Sequence, residues 1–93
     1  MPIEWSAHAV ADLEAISAYI EQDRSLETAN RVARTIYDSV QSLRTLPHRG
    51  RAGHIANTRE LVLPRLPYMV VVYRVYEDRV LILNIVHGAR RWP

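Results

Sequence analysis

The residues with the most chemical potential stand at the end of the chain, where an apolar run gives way to His87-Gly88-Ala89-Arg90-Arg91-Trp92-Pro93. A histidine ring exchanges a proton near neutral pH, and paired guanidinium groups neutralise phosphates or carboxylates. His87 is therefore a candidate general acid or base, with Arg90 and Arg91 as anion clamps. The plainer reading has His87 hydrogen-bonded to backbone at a strand end and Trp92 pinning the tail to the domain. Arg59 and Arg74 fall in or beside β patterns, where a guanidinium is costly unless its fork finds acceptors. They are either clamps for a phosphate or a partner's carboxylate, or partners of Glu60, Glu77 or a helix acid. Arg49-Gly50-Arg51 adds two more cations around a glycine that permits close backbone approach, without the spacing of a phosphate loop.

Other chemistries lack their residues. Cysteine is absent, which excludes disulfides, thiolate nucleophiles and Cys-based metal sites, and suits a reducing cytoplasm. Lysine is absent as well, so all 12 basic residues are arginine and Schiff-base chemistry is excluded. His8, His48, His54 and His87 show no close metal-ligand spacing, so neither metal nor cofactor is expected. No serine sits in a Gly-x-Ser-x-Gly turn. Tyr19 and Tyr37 lie near apolar helix stripes and read as packing groups.

The net charge of +2 conceals an asymmetry. Residues 1–48 hold four arginines against seven acids, net −3, whereas residues 49–93 hold eight against three, net +5. The second half is suited to nucleic acid, an acidic protein segment or a negatively charged groove. No apolar run is long enough to span a membrane, and Met1-Pro2-Ile3-Glu4-Trp5 lacks the pattern of a signal peptide, which favours the cytoplasm.

A single domain of 93 residues, 48% of them apolar, must position these groups. Ile3–Trp5 reads as a short strand passing into a helix capped by Ser6. Val10, Leu13, Ile16 and Ile20 recur at helical spacing to about Gln22, and Asp12, Glu14, Glu21 and Asp23 take the opposite face. Ser25 caps a second helix carrying Ala29, Val32, Ile36, Val40 and Leu43, ending near Leu46-Pro47. The short link makes the two a helical hairpin. Residues 47–54 read as a cationic loop. Three strands follow, Arg59–Leu63, Tyr68–Tyr76 and Val80–Val86, the last two joined by a tight turn at Glu77-Asp78. The order is β-α-α-β-β-β, an α+β domain with a helical hairpin on a small antiparallel sheet. Alternation gives Met69, Val71, Tyr73 and Val75 one face, and Val70, Val72, Arg74 and Tyr76 the other. The second apolar face either receives a partner or belongs to a curved sheet with few residues exposed.

Taken together these segments resemble the RelE/ParE superfamily of toxins from type II toxin-antitoxin systems. Trp5-Ser6 with Ala9, Asp12-Leu13, Ile16 and Tyr19-Ile20 resembles its opening helix, and Pro47 with Gly50-Arg51 its central loop. Thr58-Arg59-Glu60-Leu61, Pro67-Tyr68 with Tyr73-Arg74, and Val86-His87-Gly88-Ala89-Arg90 with Trp92-Pro93 resemble the strand motifs of the ParE-like, plasmid-stabilisation branch. That branch implies inhibition of DNA gyrase by binding, without catalysis. The alternatives are a RelE-like ribosome-dependent mRNA endoribonuclease, in which His87 and Arg74 would be catalytic, and an inert member that only binds its antitoxin. The resemblance further implies a cognate antitoxin with a disordered acidic tail, and DNA contact only through the antitoxin's separate DNA-binding part. Arg49, Arg51, Arg59, Arg74, His87, Arg90, Arg91 and Trp92 are then the expected antitoxin- or target-binding residues.

Overall fold

The computed structural model describes residues 1–63 and 65–87, so Arg90, Arg91 and Trp92 lie outside the described residues. The elements are β1 (Ile3–Trp5), α1 (Ala7–Asp23), α2 (Leu26–Gln41), a 3-10 turn (Ser42–Arg44), β2 (Arg51–Ala52), β3 (Arg59–Leu63), β4 (Leu66–Val75) and β5 (Val80–His87). The β-α-α-β-β-β order is as predicted, with one addition. Arg51 and Ala52, expected within a loop, pair antiparallel with Glu60 and Arg59 as a two-residue edge strand.

Both helices begin where the capping residues stand. The Ser6 hydroxyl accepts the Ala9 amide and that of Ser25 accepts the Thr28 amide, both at 3.0 Å, filling donors that a helix start leaves unpaired. α2 buries Ala29, Ile36 and Val40 on one face, as its spacing requires. Together with Ala9, Ile16 and Ile20 of α1 they meet Leu61, Leu63, Met69, Val71, Tyr73, Val80, Ile82 and Ile85 in a single core. Each buried Val, Leu, Ile or Met among them contributes roughly 1.5–3 kcal/mol.

The five strands are ordered β1-β5-β4-β3-β2. The sheet is mixed: its three other pairings are antiparallel, but β1 runs parallel to β5, with Ile3, Glu4 and Trp5 opposite Val80, Leu81 and Ile82. A parallel neighbour needs a crossover, and the helical hairpin supplies it. The β4–β5 register shifts at Leu83: Val72 faces Asn84 and Tyr73 faces Ile82, leaving Leu83 without an opposite residue. α1 takes over the edge at this bulge. The Ser6 hydroxyl donates to the Leu83 carbonyl at 3.0 Å, and the Ile85 amide donates to Asp12 Oδ2 at 2.9 Å.

Val70 and Val72, on the face away from the helices, are only 4% and 1% exposed. Of the two readings of that face, the one with few exposed residues holds at these positions. Val62 of the same face is exposed.

Candidate functional site

Loop 47–50 is fixed to the sheet by Tyr73 and Arg59. The Tyr73 side chain is fully buried, its hydroxyl accepting the Gly50 amide at 2.9 Å and donating to the Pro47 carbonyl at 2.8 Å. Burial raises the pKa of this phenol above its ordinary value, while the Gly50 hydrogen bond and the charges of Arg59 and Arg49 pull it the other way. Arg59 Nη1 donates to the carbonyls of Gly50 at 2.8 Å and His48 at 3.2 Å. Residues 53–58 then turn back into β3. Gly53 and Thr58 close this turn by an amide-to-carbonyl bond of 2.8 Å, and Asn57 adopts φ 65°, a left-handed conformation that asparagine tolerates.

This loop brings residues from distant parts of the chain around one cleft of about 320 Å³, lined by His48, Ala52, Asn57, Thr58, Arg59, Arg74 and Val75. Among the described residues its lining holds no carboxylate. Neither Arg59 nor Arg74 forms an ion pair with a described acid, so of the two readings the one that pairs them with Glu60, Glu77 or a helix acid is not what the fold uses. Arg74 is exposed and its guanidinium lies 4.9 Å from the centroid of the Tyr76 ring. Arg79 lies 4.3 Å from the same centroid and is tied to Glu4 at 2.9 Å and Asp78 at 3.0 Å. Stacking on an aromatic ring orients a guanidinium and leaves its N–H rim available.

The remaining predicted residues separate by what they touch. Arg51 donates through Nε and Nη2 to Glu60 Oε1 at 3.2 and 3.0 Å. The other Glu60 oxygen takes the His54 amide at 2.9 Å and faces its Nδ1 at 2.8 Å, so that ring nitrogen carries the proton. The Glu60 side chain has no exposed surface, and Arg51 and His54 shield it from water. Arg51 is thereby a structural cation as well as a surface one. Arg49 donates to the Ser42 hydroxyl at 2.6 Å and remains exposed.

His87 stands apart from all of these. It faces Met69, whereas Arg74 faces Leu81, five positions further along β4, or about 17 Å at the usual strand rise. The two also occupy opposite faces of the sheet: His87 shares the helix side with Met69 and meets the Tyr19 ring edge-on at 5.8 Å, while Arg74 alternates with Tyr73 to the far side. The structure therefore gathers Arg59 and Arg74, adds His48 and Asn57, which the motifs did not single out for this site, and leaves His87 elsewhere. Among the described residues no group of three or more His, Asp or Glu could hold a metal ion.

The model of the ParE toxin of the type II toxin-antitoxin system parDE matches residues 3–92. The chain belongs to this toxin family. It is 40% identical over 88 residues to toxin RelE2 of Caulobacter vibrioides, covering 95% of this chain and 96% of that protein. It is 42% identical over 91 residues to Y4kP of Sinorhizobium fredii, covering 98% and 92%. Among solved structures, a chain of the chromosomal ParDE toxin-antitoxin system from P. aeruginosa superposes with a TM-score of 0.86 at 27% identity, covering 94% of this chain and 95% of that one. The helical hairpin on the mixed sheet is thus the ParE toxin fold, and the family implies a cognate antitoxin. Among the described residues no helix is long and apolar enough to cross a membrane.

Proposed function

We propose that this ParE-family toxin acts by binding DNA gyrase, in the cytoplasm, until its cognate antitoxin covers it with an acidic tail that folds on binding. The observation carrying this reading is the separation of His87 from Arg74. An RNA-cleaving site needs a proton-transferring group within hydrogen-bond reach of the phosphate that its cations hold, and about 17 Å between the two argues against His87 acting on a phosphate held by Arg74. Binding makes no such demand. It is served by exposed arginines without acidic partners and by preorganised geometry.

One feature supports the endoribonuclease as a second reading, since His48 lines the cleft beside Arg59 and Arg74. The deciding experiment follows thymidine and methionine incorporation after induction without antitoxin, together with a supercoiling assay on purified toxin. Gyrase binding requires an early fall in DNA synthesis while translation continues, and loss of supercoiling in vitro. An immediate fall in methionine incorporation with supercoiling intact would establish the ribosomal reading instead.

A further inference from the structure

We infer that the cleft between loop 47–58 and the β3–β4 strands is a phosphodiester site and that, on the gyrase reading on which this rests, it takes a backbone phosphate of the DNA held by the enzyme. This departs from the expectation that DNA is met only through the antitoxin, and it leaves operator binding by the antitoxin untouched.

His48, Asn57, Arg59 and Arg74 come from a loop, a turn and two strands and converge on one opening of about 320 Å³. Arg59 commits Nη1 to the loop carbonyls, and among the described residues its Nε and Nη2 have no acceptor. Among the described residues Arg74 has no carboxylate partner either, and its place over the Tyr76 ring, shared with Arg79 that Glu4 anchors, limits its freedom while it lines the opening. A planar carboxylate is satisfied by a single guanidinium fork. Four donor-bearing side chains around one opening suit a tetrahedral group with oxygens in several directions, and arginine is the residue of choice for phosphate recognition. The acids of the basic half do not compete for these groups: Glu60 is buried under Arg51 and His54, Asp78 is bonded to Arg79, and Glu77 forms no ion pair with a described residue.

The test uses the full-length toxin freed of antitoxin and a fluorescein-labelled 20-base-pair duplex, with binding followed by anisotropy between 50 and 200 mM salt. Arg74→Gln and His48→Gln are compared with Arg31→Gln, which removes the same charge from an exposed position on α2. Arg59 is not varied because it also holds the loop. Each phosphate contact contributes about −0.9 to the salt slope of log K, so Arg74→Gln should flatten the slope by about that amount and weaken binding roughly 3- to 10-fold at 100 mM salt. Arg31→Gln should leave the slope unchanged.

Equal effects of Arg74→Gln and Arg31→Gln would reduce the cleft to its net charge and overturn the inference. So would unchanged DNA binding by Arg74→Gln accompanied by weaker binding of a glutamate-rich peptide, which would make the cleft a carboxylate site. Tighter, Arg74-dependent binding of a 20-nucleotide single-stranded RNA would overturn the assignment to DNA. Supercoiling inhibition by the wild-type toxin is scored separately. If it fails, the gyrase reading falls; if it succeeds while Arg74→Gln binds DNA normally, only the phosphate site falls.

Discussion

The Tyr73 hydroxyl lies 2.9 Å from the Gly50 amide, and a Cβ built on Gly50 would stand 2.6 Å from that oxygen and 2.9 Å from the Glu60 carbonyl. The glycine is required by space. Its amide must approach the phenol closely for loop 47–50 to lie against the sheet, and the loop in turn places His48 at the cleft. Gly50→Ala should therefore displace backbone and cost on the order of 1–3 kcal/mol as an overpacked core position does. Thermal unfolding checks this: a melting temperature within a degree of wild type would show that the loop yields without penalty.

Tyr73→Phe keeps the ring and removes the oxygen, leaving the Gly50 amide without its buried acceptor. The expected loss is about 1–3 kcal/mol by urea unfolding at pH 7. The same substitution has a pH signature. Burial raises the folded-state pKa of this phenol, so the folded protein holds the proton longer than the unfolded chain does. The corresponding stability is intact below the unfolded value near 10 and is lost as pH rises through the folded one. Wild type should lose more stability than Tyr73→Phe as pH rises above about 10. Parallel curves for the two proteins would refute the assignment.

Arg51 and Arg74 are chemically alike and should behave oppositely. Arg51 covers the buried Glu60 carboxylate, so Arg51→Ala should destabilise the fold by roughly 1–3 kcal/mol, less than a fully buried pair would because Arg51 itself is half in water. Arg74→Ala, with no acid partner among the described residues, should change stability by less than about 0.5 kcal/mol. Urea midpoints of the two variants decide the matter, and the reverse ranking would mean that Arg51 is the surface cation and Arg74 the structural one.

These contrasts show where sequence reading reaches its physical limit. Ser6 and Ser25 announced their helices because capping is settled within three residues, and the spacing of Ala29, Ile36 and Val40 specified the buried face of α2 because helical periodicity is local. β2 was not legible. Two residues carry no period, and Arg51-Ala52 pairs with β3 where Tyr73, more than twenty positions away, and Arg59 anchor the preceding loop. The direction of β1 was equally hidden, since Ile3-Glu4-Trp5 alternates identically in either sense. Arginine type alone could not tell Arg51 from Arg59 or Arg74. The buried position of Glu60 and the strand register make that distinction, and both are tertiary. The same holds for His48, whose place beside Arg74 follows from the fold of the loop.

His87 yields the functional counterpart. It was the leading catalytic candidate by residue type, yet its ring meets Tyr19 on the helix side, while the cationic cleft opens at the other end of β4. His87→Gln should retain full toxicity in cells and full supercoiling inhibition, with a melting temperature close to wild type because the residue is exposed. His48→Gln, changed in parallel, should lower inhibition several-fold through weaker target binding without abolishing it, since a binding contact contributes a fraction of the affinity whereas removal of a general base or acid costs about 10²–10⁴ in rate. A folded His87→Gln variant that had lost its toxicity would restore this residue to the site and require a target that reaches the far end of the sheet.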